Sequence, residues 1–483
     1  MVKFIDLREY LNLLEEKNLL RIVEGVDWYL EIGAITELMA LSKDPKALLF
    51  DSIKDYPKGF RVATCLYASE YLQSLALGLP TTASPLERVK IVKEIIKSSP
   101  KLGPKEVSEG PILENVVKGE EVNVLVFPAP YWRKGDGGRY IGTGDCVIMR
   151  DLDEGWVNLG VYRVMVVDKK TLAMYIVPGH HGLLIAQKYW RRGSKAPVAI
   201  VLGQEPVLFF AAAAPLPWGY SEYEFAGGFK GEPIKVIVDD ETLLPIPATA
   251  EAVILGHIPP PESASIEEGP FGECTGYYSG RYRGLVVQVS KILYRNDPII
   301  HGVLPMKGSI IRSSYLGAHI LTAALIWNSI EREVPGIKGV YPLYQICQTG
   351  PSVVAISIEQ MYPGHAKHAA LAVLSSQASA RFAKVIVVVD DDIDVTNIED
   401  VMWALATRVD PERDVQIVRG IPGFSLDPSI PEEKKRIQEY TSSVVIIDAT
   451  KKPYAMKEKY PQTITIDTEL KRKVLEKFRN IFS

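Results

Sequence analysis

The run Glu268-Gly269-Pro270-Phe271-Gly272-Glu273 places two carboxylates five positions apart on a segment that Gly269, Pro270 and Gly272 keep from forming ordinary helix. On a regular strand the two side chains would face opposite ways, whereas a tight Gly-Pro turn folds them towards a common centre. Paired carboxyls in a partly dry environment titrate apart. One stays an anion while the other holds a proton that it can donate. A solvated acidic loop is the competing reading, and four other segments bear on the choice.

Asp136-Gly137-Gly138-Arg139-Tyr140-Ile141-Gly142-Thr143 has glycines that admit a close backbone approach and an Arg able to meet a phosphate. Trp156-Val157-Asn158-Leu159-Gly160-Val161-Tyr162-Arg163 puts a cation in an apolar strand, where it must be paired or exposed. Asn158 and Arg163 would face opposite ways unless Gly160 carries a bulge. Adjacent His180 and His181 sit between glycines, and Tyr220-Ser221-Glu222 adds a further carboxylate. Asn158, His181 and Glu222 together offer an amide oxygen, an imidazole and a carboxylate. That set suits Mn²⁺ or Mg²⁺ better than structural zinc, and a hard cation of this kind offsets the charge of a buried phosphate.

The elements that must position these groups divide the chain by texture. Residues 1–115 read as a small mixed α/β domain, with Asp6 and Ser84 as helix caps. Short apolar runs separated by turn residues recur over 116–308, as in a barrel. A linker helix is expected over 309–336, and strands alternate with helices over 337–483, the pattern of a doubly wound α/β domain closed by a terminal helix. The formal net charge of -4 gives no reason to expect nucleic acid or an anionic membrane as partner. The first residues read as an amphipathic helix rather than a signal peptide, and no apolar run is long enough for a membrane span, so a cytoplasmic location is expected. Cys65, Cys146, Cys274 and Cys347 lie far apart and suggest neither a zinc knuckle nor a disulfide framework.

In order and spacing these motifs resemble those of the UbiD family. The resemblance continues through Met361-Tyr362-Pro363-Gly364-His365 and Asp390-Asp391-Asp392-Ile393-Asp394 to Thr407-Arg408. It implies a split β-barrel that binds prenylated FMN, the product of a flavin prenyltransferase, with the phosphate anchored through Mn²⁺ and K⁺. By motif position Asn158, His181 and Glu222 look like the metal ligands, while Trp156 and the backbone at Ala211, Ala212 and Ala214 look like the potassium neighbourhood. Val161, Tyr162, Arg163 and His180 fall at cofactor-binding positions. Arg163, Glu268 and Glu273 fall on the family's catalytic set, with Glu268 the anion held by Arg163 and Glu273 the proton donor. The C-terminal domain resembles a dimerising domain, which implies a homodimer or homohexamer.

The implied reaction is reversible non-oxidative decarboxylation of an α,β-unsaturated or aromatic acid. His180, Cys274, Ile421 and Gly423 are expected at the substrate pocket. Sparse Asn and Gln suggest a thermophilic source, and the family then offers trans-anhydromevalonate 5-phosphate as substrate, its phosphate met by Arg133, Lys134, Lys307 or Arg312. A 4-hydroxybenzoate or polyprenyl-4-hydroxybenzoate decarboxylase is the alternative. A flavin-free metal-dependent hydrolase and a non-catalytic flavin-binding protein are the readings from other classes.

Overall fold

The computed structural model describes residues 4–307, 318–346, 350–452 and 454–482. At the N-terminus, Asp6 caps helix Leu7–Glu16 by accepting the Glu9 N–H at 2.8 Å. Helix Pro85–Ser98 starts at a reciprocal capping box between Ser84 and Glu87. Strands Leu20–Glu24, Ala47–Asp51 and Arg61–Thr64 form a sheet that a late strand, Ile299–His301, completes by pairing in parallel with the third. This late strand ties the first part of the chain to the end of the β-rich region.

The β-rich region forms a ten-stranded sheet curled as a half-barrel. Its hub is the 13-residue strand Tyr282–Tyr294, which pairs with Thr171–Tyr175, Ala252–Ile258, Ser265–Glu268 and Asn115–Lys118. The apolar positions of Ala196–Leu202 and Ala252–Ile258 are almost wholly buried, as expected for strands covered on both faces. The sheet is therefore a rigid frame, and its end strands and the helices laid over them carry the candidate site.

Of the expected linker helix, Ala318–Ile330 is helical, residues 308–317 lie outside the described residues, and the chain has left the helix by 331–336. The C-terminal sheet runs in the order Ile337–Ile346, Gly350–Ile358, Val385–Asp390, Thr441–Ala449, Val415–Pro422. Its three central strands are parallel, with crossover helices His365–Ser375 and Ile398–Arg408, but both edge strands are antiparallel. The doubly wound core is thus framed by hairpin-like edges. Among the described residues, no helix is long and apolar enough to cross a membrane.

The Asp136-Gly137 turn has a different task from binding a ligand. Gly137 donates its N–H to Pro270 O at 2.7 Å, and the Asp136 carboxylate accepts the Gly272 N–H at 3.0 Å. A Cβ on Gly137 would stand 2.0 Å from the Gly269 carbonyl oxygen. This turn is the template on which the carboxylate-bearing turn is moulded. Gly137→Ala is therefore expected to cost about 1–3 kcal/mol of overpacking and to depress turnover as well. Gly103→Ala, where nothing lies within 4 Å of the added Cβ, is the control for a thermal melt and an activity assay. An unchanged melt for Gly137→Ala would remove the template role.

Candidate active site

Arg163 opens strand Arg163–Val166, immediately after a two-residue break that ends strand Val157–Gly160. The two strands lie at opposite ends of the sheet path, one paired with Cys146–Arg150 and the other with Arg139–Gly142 and Thr171–Tyr175. That break, and not a bulge at Gly160, brings Asn158 and Arg163 onto one cavity. The cavity encloses about 430 Å³.

The Arg163 guanidinium is divided between the two carboxylates of the opening motif. Nε and Nη2 donate to Glu268 at 2.9 and 2.6 Å, and Nη1 donates to Glu273 and to Ser279 Oγ. Glu268 has no exposed surface and lies behind Arg163, away from the cavity wall, whereas Glu273 lines it. Burial alone would lower the pKa of Arg163, but Glu273 and Glu268 outweigh it and raise the value. Burial likewise raises the Glu273 carboxyl, against the opposing pull of Arg163. The rings of Tyr175, Tyr282 and Phe271 box the guanidinium at 5.0, 5.5 and 5.9 Å. The turn has thus turned both acids to one cation, leaving one sealed and one facing the cavity.

At the other end of the cavity two helices begin. His181 is the first residue of His181–Arg191 and Glu222 the first of Glu222–Lys230, so both present helix N-termini there. Such ends attract anions. Glu222 accepts the Leu159 N–H at 2.7 Å and the Asn158 side-chain N–H at 3.0 Å, and burial still pushes its carboxyl up to about 8. The Asn158 Oδ1 is buried and has no partner among the described residues. An orphaned carbonyl of this kind costs about 1–3 kcal/mol unless a cation or water meets it. Burial and the nearby Arg381 both lower the pKa of His181, which keeps a neutral imidazole lone pair available. Amide oxygen, neutral imidazole and buried carboxylate together fit a hard divalent cation.

Helix Pro206–Ala213 ends at the same cavity, where Ala212 and Ala214 form part of the wall. A helix C-terminus offers unpaired carbonyls, the donor type a monovalent cation takes. Ala211 is buried just behind the wall, its carbonyl accepting the Ala214 N–H. Trp156 also stands behind, packed edge-to-face on the His181 ring at 5.8 Å.

Val161, Tyr162, His180 and Cys274 line the cavity. Burial brings His180 down to about 4, so it is neutral. Cys274 is disulfide-bonded, where the wide spacing of the cysteines suggested no disulfide framework, while Cys65 and Cys146 are free. Ile421 and Gly423 do not line the cavity. Gly423 is tied by its N–H to Tyr440 O and packs on Ile430, and the chain reaches the cavity directly after it, with Phe424 and then Leu426. Arg139 meets no phosphate site. Its guanidinium lies 4.0 Å over Trp28 and donates to Ala129 O. Arg133 is paired with Glu37, and neither it, Lys134 nor Lys307 reaches the cavity; Arg312 lies outside the described residues. Sequence reasoning missed Arg381, Gln377 and Phe382, which close the cavity from the C-terminal part of the chain. An Arg in the run Gln377-Ala378-Ser379-Ala380-Arg381 follows no apolar period that would have marked it.

Comparison with known proteins finds relatives along nearly the whole chain. Models of the 3-octaprenyl-4-hydroxybenzoate carboxy-lyase match along the chain: the N-terminal domain at 11–92, the Rift-related domain at 105–308 and the C-terminal domain at 315–449. The chain is 32% identical over 432 residues to the phenolic acid decarboxylase of Bacillus subtilis (strain 168), covering 88% of this chain and 89% of that protein. The closed form of vanillic acid decarboxylase from Sedimentibacter hydroxybenzoicus superposes with a TM-score of 0.85 at 29% identity, covering 99% of this chain and 100% of that one. An evolved dimeric form of the UbiD-class enzyme HmfF from Pelotomaculum thermopropionicum, in complex with prFMN, superposes with a TM-score of 0.79 at 27% identity, covering 98% and 100%.

Proposed function

The chain belongs to the UbiD family of carboxy-lyases, and on that premise we propose that it decarboxylates a conjugated, preferably aromatic, carboxylic acid with prenylated FMN. The observation that carries this reading is Arg163 held between a sealed and a cavity-facing glutamate, on the wall of a cavity that also holds Asn158, His181 and Glu222. Prenylated FMN, when bound, supplies an electron sink for the charge left as carbon dioxide departs.

The protein then has geometry to hold and one proton to manage. Arg163 pairs with the substrate carboxylate, Glu268 braces it from behind, and Glu273 gives its proton to the carbon that has lost carbon dioxide. Asn158, His181 and Glu222 would hold Mn²⁺ or Mg²⁺ against the cofactor phosphate. Carbonyls at the end of helix Pro206–Ala213, together with Glu222 and the neighbourhood of Trp156, would hold K⁺. Arg381 lines the same cavity without an acidic partner among the described residues, and its charge is of the sign a phosphate needs.

The lining also bears on the substrate. Arg163 and Arg381 are the cations at the cavity wall among the described residues, and the reading assigns both, one to the scissile carboxylate and one to the cofactor. A phosphorylated substrate such as trans-anhydromevalonate 5-phosphate would need a further cation. Tyr175, Phe271, Phe382 and Phe424 offer flat apolar surfaces instead, which favours an acid of the hydroxybenzoate kind. The testing experiment loads the protein with prenylated FMN and incubates it with hydroxybenzoates and with the phosphorylated acid, following carbon dioxide. Release from the phosphorylated acid alone would reverse the substrate choice. Metal-dependent hydrolysis without flavin, or flavin uptake with no release from any acid, would replace the decarboxylase reading.

We further propose that the chain assembles with itself through its C-terminal segment. Helix Thr468–Lys477 buries none of its residues, and Ile466, Leu470, Phe478 and Ile481 are all largely exposed. Exposed apolar side chains before, on and after this helix are better satisfied when a partner covers them. Deleting residues 466–483 is expected to convert an oligomer to a monomer by light scattering. An unchanged mass would place the contact elsewhere.

A further inference from the structure

Tyr140 lies in the middle of strand Arg139–Gly142 with no exposed surface. Its hydroxyl donates to Glu268 Oε1 at 2.7 Å, and its ring packs on Phe271 of the carboxylate turn with centroids 4.3 Å apart. Glu268 Oε1 therefore accepts from Tyr140 and from Arg163 Nε, while Oε2 accepts from Arg163 Nη2. Nη1 is the remaining edge of the guanidinium, and it serves Glu273 and Ser279.

We propose that Tyr140 is a positioning residue whose hydroxyl fixes Glu268 on the Nε–Nη2 edge of Arg163, so that Nη1 stays committed to the cavity side. The terminal torsion of a glutamate is broad and roughly twofold, so Arg163 alone leaves the carboxylate free to rotate and to share Nη1. A third donor from a buried phenol removes that freedom. Burial, then the Glu268 charge, raises the pKa of the phenol, so it remains a donor throughout the working range.

This inference rests on the roles given above to Arg163, Glu268 and Glu273. Tyr140→Phe keeps the ring against Phe271 and removes one oxygen. It is expected to lower kcat about ten- to a hundredfold, the range for deleting one hydrogen bond to a charged group, with KM within about twofold and flavin absorbance unchanged.

The same change is readable without cofactor. In apo protein labelled with ¹³C-glutamate, Tyr140→Phe is expected to shift one carboxylate stretching band through the lost hydrogen bond, and that band is absent in Glu268→Gln. Parent-like kcat together with a parent-like infrared spectrum would reduce Tyr140 to a core residue and overturn the proposal. A fully active Glu268→Gln would overturn the catalytic reading itself and this inference with it. An inactive Glu268→Gln beside a parent-like Tyr140→Phe overturns the inference alone.

Discussion

Glu273→Gln is expected to bind prenylated FMN as the parent protein does and to turn over about a thousandfold more slowly. The glutamine has nearly the shape of the acid and can still accept from Arg163 Nη1, so the cavity wall survives the change. What it lacks is a proton that can be released. A positioned general acid contributes about 10²–10⁴-fold, which sets the expected loss. The pH dependence carries the same signature. Burial holds the Glu273 pKa above the usual carboxyl range against the pull of Arg163, so the acid form persists to higher pH than in an exposed glutamate. Turnover in the parent should fall as pH rises through that raised pKa, because the donor is then lost. The Gln variant should show no such alkaline fall. Steady-state rates across pH on flavin-loaded protein decide this, and full activity in the variant would move the proton donor elsewhere.

The second large effect is expected at the opposite end of the cavity. His181→Ala should lose divalent metal and flavin together, with metal affinity falling by more than about a hundredfold, the upper cost of disturbing even an outer partner of a metal ligand. The alanine leaves Asn158 Oδ1 and a buried Glu222 to hold a cation between them. Burial already biases Glu222 towards its neutral form, so two ligands of this quality do not offset the desolvation of a divalent ion. With the cation gone, a buried phosphate has lost its main counter-charge. Elemental analysis and near-ultraviolet absorbance on the same preparation read both losses. Normal metal content would remove His181 from the ligand set, and normal flavin occupancy without metal would make Arg381 the dominant phosphate contact.

The carboxylate pair and its arginine were legible in the amino-acid order because their constraints are local. Gly269 and Pro270 dictate a turn, and a cation inside the apolar strand at Arg163 must find an anion. Arg139 misled for the opposite reason. Its partner Trp28 is more than a hundred residues away, and nothing near Arg139 in sequence records that contact. The same holds for the wall built by Arg381, Phe382, Phe424 and Leu426, which reaches the barrel through tertiary packing. Ile421 and Gly423 sit just before that wall, Gly423 directly preceding Phe424. Their displacement shows that a strand end is hard to place to within two residues. The edge strand Ile337–Ile346 hid behind Gly339 and Pro342, which interrupt the alternation that would have announced it.

The arrangement of Arg163, Glu268 and Glu273 is an arrangement for holding a carboxylate and returning a proton to the carbon it leaves. The most direct measurement is decarboxylation of a hydroxybenzoate in D₂O by protein loaded with prenylated FMN, with carbon dioxide and product analysed together. The predicted result is stoichiometric carbon dioxide and a single deuterium at the carbon that bore the carboxylate, with neither formed when flavin is withheld. Full flavin occupancy without carbon dioxide from any conjugated acid, or equal release without flavin, would contradict it.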